Sequence, residues 1–281
     1  MTTTATRPTG PAEDRAGRKR AAIAAKTLRT DRWWFPPLVT FVGLAAWVIY
    51  ATVRVFMHKW YFVSDYHYLT PFYSPCVSTK CVDEASHFGE FLPYESLGFA
   101  AHLIPFAAVS LPFLLLFRLT CYYYRKAYYR SFWLSPPACA VAEPHRRYHG
   151  ESRGLGLGQN LHRYFFYAAV IISLINTYDA FRAFVTADGR FGLGLGNLIL
   201  LGNVVLLWAY TVSCHSCRSI IGGRLNHFSR HPMRYRIWQF VSRLNAKHMQ
   251  LAWITLGTLA VTDFYIMAVS AGWISDLRIV G

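Results

Sequence analysis

The sequence predicts an all-α integral membrane protein, a bundle of five transmembrane helices. Three observations predict it. Of 281 residues, 54% are hydrophobic and 17% aromatic, more than a soluble domain of this length uses. Charge-free runs separate Arg32 from Arg54, Glu95 from Arg118 and Arg190 from Arg218. As helices, each would span roughly 30 Å or more, the thickness of a bilayer's hydrocarbon core. The loops between the apolar runs differ sharply in charge, as membrane topology requires.

In chain order, residues 1–32 are a tail with eight Lys/Arg and three acids. The tail lacks the apolar core of a signal peptide and reads as disordered. Residues 33–281 form the membrane domain, with helices expected at 35–57, 96–119, 163–186, 193–221 and 248–273. The third carries Asp179 and Arg182, the fifth Asp263. The segments 118–163 and 218–247 hold eight and seven basic residues against two and no acids, whereas 58–95 holds two against five. The positive-inside rule then puts the N-terminus and both basic loops in the cytoplasm, and the C-terminus outside. These basic loops answer to topology and anionic lipid. With no soluble domain left, the pI near 9.8 does not point to nucleic acid. The glycines of Gly154-Leu155-Gly156-Leu157-Gly158 follow no strand and precede no GK[ST], so they read as a flexible entry to the third helix rather than a phosphate loop.

Six cysteines fall in three pairs. Cys76 and Cys81 lie in the outer loop, where a disulfide is the default, although His58, His67 and His87 leave a metal site open there. Cys121 and Cys139 are not spaced as ligands and read as packing residues. Cys214 and Cys217 are i,i+3, a spacing that puts two thiols on one helix face. With His227 and His231 they make C-x2-C-x9-H-x3-H, close to zinc-finger spacing. A metal-free reduced pair is the plain alternative.

His162 opens the third helix and His248 the fifth, at the membrane level where the fourth delivers Cys214 and Cys217. Two thiolates and two imidazoles suit a Rieske-type [2Fe–2S] centre. Cys214 and Cys217 are the expected ligands of one iron and His248 and His162 of the other, with His215 and His227 in reserve. Haem b is the competitor, but a pair of haems needs four facing histidines and only His102, His162 and His248 are placed in helices. Intramembrane acids are functional candidates. Asp179 and Asp263 could exchange protons with a quinone, or Asp179 could pair with Arg182. The tract Cys121 to Trp133 is dense in tyrosine and basic residues. Tyr128, Arg130, Ser131 and Trp133 could contact quinone carbonyls, and the same surface could dock a peripheral subunit.

Four tracts resemble the membrane-anchor (cytochrome b-type) subunit of actinobacterial succinate dehydrogenase, complex II. They are Tyr122 to Trp133 with Ser135 to Ala140, Ser213 to Arg218 with Gly222-Gly223, Lys247 to Trp253, and Tyr68 to Cys76; the likeness covers about residues 33–281. The resemblance implies a multi-pass subunit of the plasma membrane. It also implies flavoprotein and iron–sulfur partner subunits on the cytoplasmic side and leaves room for a small additional membrane subunit. The chain itself would bind menaquinone or ubiquinone and relay electrons, with succinate oxidised elsewhere. Anchors of the wider family carry two haems on four histidines, a pattern absent here. Two other classes compete: a transporter with structural zinc at Cys214-His215-Ser216-Cys217, and a cofactor-free scaffold.

Overall fold

The computed structural model describes residues 29–89, 93–106 and 110–280, apart from the side chains of Tyr94, Ala101 and His102. The expected tail lies outside them up to residue 28, and so does the His102 imidazole. The chain divides into two units. One comprises the residues up to Val42 with Lys126–Glu151, the other Gly43–Arg125 with Ser152–Gly281.

Among the described residues, four helices are long and apolar enough to cross a membrane: α1 (Phe35–Met57), α4 (Leu155–Arg182), α5 (Leu195–Val212) and α8 (His248–Ser270). Shorter helices are α2 (Ser110–Thr120), α3 (Tyr122–Phe132), α6 (His215–Gly222) and α7 (Pro232–Asn245). The second expected span is not one helix. Its first part is a 3-10 stretch, Tyr94–Leu103, broken at Gly98 (φ 54°, ψ −128°). Pro105 follows, and Pro112 sits in the first turn of α2, where a missing N–H is harmless. A proline-punctuated apolar run can thus be charge-free without being a continuous helix. The fourth expected span also breaks. α5 stops at Val212, and Cys214 has extended backbone (φ −62°, ψ 144°) as the N-cap of α6. The glycine-rich entry to the third span is itself helical, because α4 begins at Leu155 behind a left-handed Gly154. The basic segment 218–247 contains α7, anchored by Trp238 beneath Arg218 at 5.0 Å.

In the first unit, Phe41 meets Phe132 edge-on at 4.7 Å, and Arg29 donates to the Cys139 carbonyl at 3.0 Å. In the second, α2 packs on α4, α4 on α5 and α5 on α8. Lipid offers helices no hydrophobic incentive to associate, so small residues and polar bonds must hold them. Ala180, Ala183, Leu200, Val204 and Ile266 pack around Tyr68. Two short antiparallel pairs, β1 (Phe62–Val63) with β2 (Tyr68–Leu69) and β3 (Leu193–Gly194) with β4 (Arg278–Val280), close the far end. There the buried Asp276 accepts from Tyr68, Tyr265 and the Gly196 N–H in the first turn of α5, where a helix N-terminus favours a negative charge. Cys76 and Cys81 are disulfide-bonded, and His87 N–H bonds back to the Cys76 carbonyl.

Candidate metal centre

Helix ends deliver four donors to the opposite end of the second unit. Cys121 follows α2, His162 lies two turns into α4, Cys214 follows α5 and His248 opens α8. All four are buried. His162 Nε2 is 3.1 Å from Cys214 Sγ, and His248 Nε2 is 3.9 Å from Cys121 Sγ.

The hydrogen bonds fix what each imidazole presents. Thr120 donates its hydroxyl to the Leu116 carbonyl at 2.7 Å, and His162 Nδ1 is 2.9 Å from that same oxygen. The oxygen can therefore only accept, so Nδ1 carries the proton and Nε2 a bare lone pair. Ser213 repeats the arrangement, donating to the Tyr210 carbonyl at 2.6 Å while His248 Nδ1 lies 2.7 Å away. Both imidazoles thus turn lone pairs toward thiols, with their orientation set by helix-anchored hydroxyls, as metal-binding histidines require. Phe117 stacks on His162 at 4.7 Å and Tyr210 on His248 at 5.0 Å, shielding the rings from water.

Burial pushes the Cys214 thiol up to about 11. It raises Cys121 too, against the pull of Arg125 and Arg118 toward thiolate. Both sulfurs therefore stay protonated at neutral pH until a metal displaces the protons. Two thiols and two imidazoles, closed off and correctly tautomerised, fit the donor set of a mixed-ligand [2Fe–2S] centre.

The cysteine pairing differs from the sequence expectation. Cys217 is only half-buried, because Cys214 caps α6 instead of lying inside a helix with it, and the i,i+3 argument fails. The second buried thiol beside the histidines is Cys121. The signal for it was available, since Cys121 ends an apolar run at the membrane level of the two histidines. Exposed His215 lies within electrostatic reach of His162 and His248, whereas His227 and His231 are exposed at the ends of a 3-10 turn. Among the described residues, no three His, Cys, Asp or Glu converge on a single ion, so the zinc-finger spacing is not realised. A two-iron centre divides its ligands and does not require that convergence.

The intramembrane acids are engaged elsewhere. Asp263 takes a bidentate bond from Arg54 (2.6 and 3.0 Å), another from Tyr50 (2.6 Å) and one from Thr70 (2.5 Å). Asp179 pairs not with Arg182 but with His87 Nε2 (2.7 Å) and Ser74 (2.5 Å). Cys76 N–H donates to His87 Nδ1, so the His87 proton points at Asp179. Of the tyrosine tract, Ser131 spends its hydroxyl on the Ala127 carbonyl at 2.7 Å. Tyr128 and Trp133 flank Phe132, and Arg130 is partly exposed.

The family described as actinobacterial succinate dehydrogenase subunit SdhC has a model that matches residues 35–272, a stretch containing all four donors. Among solved structures, a chain of the Mycobacterium smegmatis Sdh1 complex in the apo form is similar. The two are 65% identical, over 94% of this chain and 98% of that one, with a TM-score of 0.82. No curated protein sequence matches.

Proposed function

The chain belongs to the family of actinobacterial succinate dehydrogenase membrane subunits, and from that premise we propose that it conducts electrons from an iron–sulfur partner subunit to a quinone through a Rieske-type [2Fe–2S] centre. Cys121 and Cys214 would hold one iron, His162 and His248 the other. When bound, such a centre supplies one-electron transfer at a potential above that of an all-cysteine cluster. The protein's part is to keep the site dry, to present the two Nε2 lone pairs, and to hold the imidazole protons at Nδ1 against Thr120 and Ser213. The observation that carries the reading is this pair of oriented histidines facing two buried thiols. Haem is disfavoured, because both Nε2 atoms face sulfur rather than a gap between rings.

The basic charge at the end that holds the four donors (the cage end) would orient that end to the cytoplasm, where flavoprotein and iron–sulfur subunits would dock. The C-terminus then lies outside the plasma membrane. α1 ends beside Asp263 at the far end, and Cys121 lies at the cage end, so the intervening chain must cross once more. Tyr94–Leu103 and α2 would make that passage, giving five crossings with one not a continuous helix. Tyr128, Arg130 and Trp133 remain candidate contacts for menaquinone or ubiquinone near the cytoplasmic surface, with the Ser131 hydroxyl already committed to its own helix.

The test is iron, acid-labile sulfide and the reduced EPR signal of the purified complex. Cys121→Ser and Cys214→Ser should each lose all three, and Cys217→Ser should keep them. Loss with Cys217→Ser and retention with Cys121→Ser would restore the adjacent-pair arrangement. A Soret band in place of the EPR signal would replace the cluster with haem.

A further inference from the structure

α5 and α8 pack closely but leave a groove of about 400 Å³ between them at mid-span. Its floor includes Gly202 and Gly257, and a Cβ added at either would meet nothing within 4 Å. Its rim is apolar, with Leu198, Ile254 and Val261 exposed to the surroundings. Its wall carries Asn203, ninth of the eighteen residues of α5. That side chain is 2% exposed, and neither its Nδ2 nor its Oδ1 has a hydrogen-bond partner. An unmade amide in the hydrocarbon layer costs several kcal/mol per group. Natural membrane helices do not carry such a group without a partner that meets it.

We propose that this groove binds the ring of an isoprenoid quinone, with Asn203 as its polar contact. An acyl chain could fill the space but could not satisfy the amide. A quinone carbonyl accepts from Nδ2, and a quinol hydroxyl donates to Oδ1, so one side chain serves both redox forms. The volume lies in the range of small-molecule sites, whose walls are mostly apolar with few placed polar groups. The glycines let a flat ring approach the backbone. The helix that walls the groove also runs on toward the four donors. Tyr210 is seven residues beyond Asn203 on the same helix face, and it is buried. Cys214 follows four residues later, about 16 Å from Asn203 along the axis. This inference rests on the quinone-reducing role proposed above, and its site is distinct from the tyrosine tract.

The test uses the whole complex carrying Asn203→Leu, which removes the amide at similar volume, or Gly257→Leu, which fills the floor. Quinone content after solvent extraction and the KM for a short-chain quinone are measured, each normalised to dye-linked succinate oxidation in the same preparation. Both variants should lose co-purified quinone and raise KM at least about tenfold, the loss of one good hydrogen bond or more, with cluster EPR retained. Unchanged quinone content and KM in both variants overturn the proposal. So does an extract in which the variants displace phospholipid, or a Gly257→Cys variant that cross-links to another polypeptide. A wild-type complex lacking iron would sink the electron-relay reading while leaving the quinone extraction to decide the groove.

Discussion

Asp263 shows how a charge survives in lipid. Every oxygen it owns is met by Arg54, Tyr50 or Thr70, and the pair is sealed from solvent. The sequence shows an acid in a span, and burial alone makes it a candidate for chemistry. Only the fold shows that the arginine of another helix neutralises it. Asp263→Asn would leave Arg54 buried and uncompensated, at a cost of roughly 3–5 kcal/mol. Thermal unfolding in detergent should fall accordingly, and an Arg54→Leu/Asp263→Leu double variant should recover most of the loss. Quinone turnover per folded molecule should be unchanged in Asp263→Asn; slowed turnover would return the residue to proton exchange. Cys214 carries a pH signature. Its thiol is raised from 9.0 to about 11 in the folded protein, so the neutral form is the one the fold tolerates. In metal-free protein its stabilising contribution is complete below pH 9 and fades as pH climbs toward 11. The stability difference between wild type and Cys214→Ser should change over that window and stay flat below it.

At the level of elements, helix ends do the positioning. Thr120 and Ser213 each close the last turn of a helix through their hydroxyls, and the same oxygens aim an imidazole. Ser213→Ala should free His248 Nδ1 and lower metal retention by about 10–100-fold, the usual effect of removing such an orienting partner. Iron loss to a chelator measures this, and Ser213→Thr should restore it. The elements also mark where sequence reasoning stops. Hydropathy located α1 and α8 closely, because neither apolar run holds a proline beyond its first turn. It misjudged the second span, where Gly98, Pro105 and Pro112 divide the run. It also extended the fourth span through Cys214, where the chain turns from helix to extended backbone. That one dihedral change takes Cys217 out of a shared helix with Cys214 and leaves it half-buried. Nothing in local composition records it, since both conformations suit a Ser-Cys-His-Ser sequence. α7 was hidden in a segment whose charge spoke of topology rather than of helix.

For the molecule as a whole, class and kinship were legible, the former through hydrophobic runs and charge asymmetry, the latter through long specific tracts. That His162 and His248 lie buried at one level was legible because depth along a helix can be counted from its start. Their Nδ1 anchors, the Asp179–His87 contact and the Asp276 hub were not, since each joins residues far apart in sequence. The four donors at 121, 162, 214 and 248 are similarly scattered, and the last begins the final span. A centre held by all of them therefore cannot be completed on a nascent chain. If the proposed centre is built there, its assembly waits until the last segment has been threaded into lipid, and iron and sulfide would have to reach a finished bundle.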